Sequence, residues 1–112
     1  MAQSIDILLD TDQAITDLAP TLNKLLDIDL QPIQTDGKAS YAFRALTLTL
    51  DLYPFAAAQN REQTLQNYRY HISINGIFGS EQQRTKWTED WAFGIMQKLK
   101  AQNYRLKRVD NL

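Results

Sequence analysis

The chain has 112 residues, 44% apolar and 22% charged, which fits one globular domain with one core and excludes a largely disordered chain. It has no cysteine and one histidine, which excludes disulfides, thiolate chemistry, cysteine-bound zinc or iron–sulfur centres and any site needing two histidines; no cofactor or metal is expected. The net charge of −1 conceals a split: residues 1–36 hold seven acidic and one basic residue, net −6, whereas residues 37–112 hold six acidic and eleven basic, net +5.

Residues 4–9 alternate briefly and predict a first strand with Ile5 and Ile7 on one face. Asp10 or Thr11 then caps a helix, with Asp10 and Gln13 at capping-box spacing and Ile15, Leu18, Leu22, Leu25 and Leu26 as its apolar stripe. Pro20 falls opposite that stripe, so the run is either one kinked helix with a water-facing proline or two short helices. Residues 27–34 alternate again as an edge strand, because Pro32 cannot donate to a ladder, and Asp36-Gly37 marks a hairpin turn.

Residues 41–53 read as one long strand with a defect. Tyr41, Phe43 and Ala45 share one parity, whereas Leu46, Leu48, Leu50 and Leu52 share the other, so a bulge, a bend or two-sided burial is expected between them. Residues 54–67 admit either a crossing loop or a short polar helix. Tyr68, Tyr70, Ile72 and Ile74 then alternate with Arg69, His71, Ser73 and Asn75 in a further strand. Ser80 and Gln83 form a capping box for a second helix, whose Trp87, Trp91, Ala92, Ile95, Met96 and Leu99 make a broad core face. Gly94 lies beside the tryptophans on the helical wheel. Its cost of about 0.5–1 kcal/mol against alanine calls for close approach of a strand or room for an indole. A last strand runs from Tyr104 to Val109.

The order β-α-β-β-β-α-β predicts one α+β domain over residues 1–112, with a mainly antiparallel sheet and both amphipathic helices on one face. A ferredoxin-like variant with an extra edge strand is the alternative. The first six residues lack a basic start leading into an apolar run, and no stretch approaches the length of a membrane span. A soluble, cytoplasmic protein without membrane contact is therefore expected.

Chemistry-bearing patterns are sparse. Gly76-Ile77-Phe78-Gly79 has no lysine–serine pair and reads as a helix entry, not a phosphate loop. Asp27 and Asp29 lack the ligand series of a calcium loop. His71 has no acid that the sequence must place beside it, so it reads as an exposed or partner-facing polar residue and not as a general base. A non-enzymatic protein acting on no small-molecule substrate is expected.

Protein interaction or self-assembly fits best. The charge split can steer association, and the second and last strands offer edges for pairing. The candidate contact residues are Arg44, Phe55, Leu65, Arg69, His71, Lys98, Lys100, Tyr104, Arg105, Lys107 and Arg108. Nucleic-acid binding through the basic 98–108 segment is the alternative, against which the overall acidity weighs. An immunity- or inhibitor-type protein, a ring component of a phage assembly and a homodimeric regulator all share this profile.

Overall fold

The computed structural model describes residues 4–35, 38–54 and 68–109. Period-2 patterning along the strands sorts the side chains onto two faces of one sheet. Ile5, Ile7 and Leu9 of β1 (Ser4–Asp10), Leu48, Leu50 and Leu52 of β4 (Leu48–Pro54), and Tyr70, Ile72 and Ile74 of β5 (Tyr70–Gly76) form the buried face. With β2 (Gln31–Thr35), β3 (Lys38–Arg44) and β6 (Arg105–Val109), these strands make a six-stranded antiparallel sheet in the order β2-β3-β4-β5-β1-β6. Both helices, α1 (Ile15–Leu26) and α2 (Glu81–Ala101), lie on that one face. Leu18, Ala19, Leu22 and Leu26 of α1 and Ala92, Ile95 and Leu99 of α2 close the core. The domain is thus a two-layer α+β fold. β5, α2 and β6 form a split β-α-β unit with β1 between the two strands, as in ferredoxin-like folds.

The sheet has six strands where the sequence pattern predicts five. The 41–53 segment is a hairpin and not one long strand: Ala45 N–H donates to the Leu48 carbonyl at 2.9 Å, and the chain reverses across residues 45–47. Its register pairs Tyr41 with Leu52 and Phe43 with Leu50. Each pair joins an odd-numbered residue to an even-numbered one, so a parity switch is the mark this reversal leaves on the sequence. Ala45-Leu46-Thr47 carries none of the usual turn residues, which is why the pattern reads as a bulge.

The first helix also differs in its ends. β1 continues to Asp10, and α1 starts only at Ile15 after Ala14, whose side chain offers no cap. Pro20 sits inside one continuous helix and is exposed, in accord with its place opposite the apolar stripe. Residues 27–30 are not strand. Asp27 takes a left-handed conformation (φ 55°) that ends the helix, and Asn23 Oδ1 accepts the Leu30 N–H at 2.7 Å. Ile28 and Leu30 drop into the core from this connection, so their alternation reflects loop packing and not a ladder. α2 begins as read, with both halves of the Ser80–Gln83 capping box formed.

Candidate interaction surface

The sheet face turned away from the helices carries Asp6 on β1, Tyr53 on β4 and His71 on β5. His71 is 5% exposed and Asp6 is 6% exposed, and the imidazole Nε2 lies 2.6 Å from Asp6 Oδ1. This corrects the reading of His71 as a surface residue: an acid from β1, 65 positions away, partners it. The ring of Tyr53 meets His71 edge-on at a centroid distance of 4.5 Å. Burial, reinforced by the negative charges of Asp6 and Asp51, pushes the Tyr53 phenol up to about 12. A carboxylate that accepts a hydrogen bond from imidazole fixes the ring's orientation. A groove beside α2, lined by Leu26, Trp91, Gly94 and Ile95, lies on the other side of the sheet and does not reach this pair.

The remaining predicted contact residues do not gather into one surface. Arg44 pairs with Asp51 across the β3–β4 hairpin at 2.8 Å. Arg69 bonds Asp12 at 2.7 Å and the Thr11 carbonyl at 3.0 Å, and the hydrogen bond to Asp12 holds its guanidinium above the usual range. Tyr104 donates to Gln13 Oε1 at 2.7 Å, and burial raises its phenol. Within the basic segment, alternation divides the charges. Arg105 and Lys107 lie on the Asp6 face, where Arg105 sits 5.1 Å above the ring of Tyr68; Arg108 lies on the helix face. Arg108 forks onto Glu89 of α2 at 2.7 and 2.9 Å, and the Arg108 hydrogen bond holds that carboxyl below its usual range. Lys98 and Lys100 are exposed near the end of α2. Phe55 and Leu65 lie outside the described residues. Tyr68, read as sharing a face with Tyr70, packs instead with Leu8 and Val109 on the opposite face, because β5 starts only at Tyr70.

A different set of residues is drawn together at one end of the sheet. Leu46, in the β3–β4 turn, is 91% exposed, and Ile77 and Phe78, in the β5–α2 connection, are 48% and 60% exposed. The Ile77 N–H donates to the Thr47 carbonyl at 2.9 Å, which holds the two loops side by side. Phe78 stacks on Trp87 of α2 with nearly parallel rings, centroids 6.2 Å apart. One helical turn further on, Trp91 lies 6.5 Å from Phe43 of β3 and is itself 37% exposed. Exposed apolar side chains thus run as a band from the loop tips onto one flank of α2. Sequence patterning misses it because Leu46 looks like a strand residue and the tryptophans look like core. The one available signal is Ile77-Phe78 standing between glycines just before a capping box.

Among the described residues no helix is long and apolar enough to cross a membrane. No group of three or more acidic or histidine side chains in them is placed to hold a metal ion. Compared with known proteins, the chain matches no family model and no curated protein sequence.

Proposed function

We propose that this protein is a non-catalytic interaction module, with self-association as its working form, and that the apolar band is its contact face. The supporting observation is the exposure of Leu46, Ile77 and Phe78 side by side. All three are large apolar side chains left open to solvent at one end of the sheet, and exposed apolar patches on soluble domains are often functional. Trp87 and Trp91 extend the band with the residue type most enriched at the centre of interfaces. The nucleic-acid alternative draws less support, because Arg108 is engaged by Glu89 and the remaining bases of the 98–108 segment are spread over more than one face.

Light scattering across protein concentration tests this reading. The expected result is a mass above that of the 12.9 kDa chain at high concentration, returning to the monomer in a Leu46→Ser/Phe78→Ser variant. A wild-type monomer at every concentration overturns self-association.

A further inference from the structure

Gly94 is a glycine in the middle of a 21-residue helix, where it costs about 0.5–1 kcal/mol relative to alanine. Neither compensation expected from the sequence is present: a Cβ built at Gly94 meets nothing within 4 Å. The space above it is a groove of about 300 Å³ lined by Leu26, Trp91 and Ile95 together with Asp90 and Lys98. Asp90 and Lys98 stand four residues before and four after Gly94, about 12 Å apart along the helix. Neither has an ion-pair partner among the described residues.

This arrangement is self-complementary. We infer that the groove is filled by α2 of a second copy of this chain, crossing antiparallel about a twofold axis at Gly94; the inference rests on the reading of the protein as a self-associating module. In such a pairing, each residue before Gly94 faces its counterpart the same distance after it in the other copy. Asp90 therefore meets Lys98 of the second copy, and the pair is made twice. Trp91 falls opposite Gln97, and Trp87 opposite Ala101, so the large rings meet slimmer side chains. The absent Cβ lets the helix axes approach at the short end of the ordinary 8–10 Å range. Antiparallel symmetry is what the charges select, because a parallel pairing about Gly94 would set Asp90 against Asp90 and Lys98 against Lys98.

The decisive experiment mixes two charge variants and reads the dimer fraction by light scattering. Asp90→Lys alone and Lys98→Glu alone each place like charges opposite one another and are expected to weaken the wild-type dimer by about tenfold. Mixed in equal amounts, they are expected to regain wild-type association. The lysine introduced at position 90 of one chain then faces the glutamate introduced at position 98 of the other, and the unaltered Asp90 and Lys98 form the second pair. Gly94→Leu, on a flank with room for the side chain, is expected to keep the circular dichroism of the fold and lose the dimer. Self-association indifferent to all three variants overturns this docking mode and leaves the self-association reading standing. A wild-type protein that is monomeric throughout overturns both.

Discussion

Thr88 Oγ1 accepts the Gly76 N–H at 2.8 Å while its own hydroxyl donates to the Arg84 carbonyl at 2.6 Å. One buried hydroxyl thus joins the end of β5 to the first turns of α2 and sets the course of the exposed Ile77-Phe78 connection. A Cβ at Gly76 would stand 2.7 Å from the Arg84 carbonyl oxygen and 2.8 Å from Thr88 Oγ1, so strand and helix meet there without room for any other residue. Gly76→Ala is expected to destabilise by about 1–3 kcal/mol through overpacking. Thr88→Val, which leaves the Gly76 N–H buried and unpaired, is expected to cost about 1–3 kcal/mol. Urea unfolding of both variants checks this; midpoints unchanged from wild type would remove Thr88 as the tie.

The His71–Asp6 pair is expected to matter for stability. Removing one member of a buried hydrogen-bonded pair strands the other, typically at about 1–3 kcal/mol. His71→Leu and Asp6→Leu should each show a loss of that order by chemical denaturation. The double variant should cost less than the two single losses combined, because no orphaned partner remains.

Tyr53 gives the fold an alkaline limit. Its phenol ionises near 10 in an unfolded chain and at about 12 in the folded one. Between those values the folded state holds more protons, so stability is fully present below pH 10 and falls as pH rises towards 12. Tyr70 and Tyr104, also raised by burial, act in the same direction. Melting temperatures from pH 9 to 11.5 should fall, and the slope should be shallower in Tyr53→Phe. An identical slope in that variant would assign the effect to other groups.

Gly94 should respond in the opposite sense to Gly76. With open space where its Cβ would go, Gly94→Ala is expected to stabilise the monomeric fold by about 0.5–1 kcal/mol. Denaturation at low protein concentration measures this without a contribution from association.

Much of the fold can be read from the sequence because its strongest signals are local. The Leu48–Leu52 alternation, the Ser80–Gln83 box and the α1 stripe each depend only on near neighbours, and each is where the pattern places it; of the α2 stripe, Ala92, Ile95, Met96 and Leu99 join the core, whereas Trp87 and Trp91 do not. Three features depend on distant parts of the chain and stay hidden. The 45–47 reversal has no turn residue to announce it. Ile28 and Leu30 are buried by tertiary packing although their backbone is not strand. His71 is buried because β1 docks beside β5 and supplies Asp6, a pairing no spacing rule contains. The exposed apolar band is hidden for the same reason: Leu46 and Ile77-Phe78 are brought to one end of the sheet only once the β3–β4 turn and the β5–α2 connection lie side by side.

Hydrogen exchange measured across protein concentration tests most directly whether the band from Leu46 to Trp91 is covered when the protein works. The expected result is protection that rises with concentration at residues 45–47, 77–79 and along the 87–98 flank of α2, with the β2 and β6 edges unchanged. Concentration-dependent protection confined to those edges would contradict coverage of the band and place the contact on the strands instead.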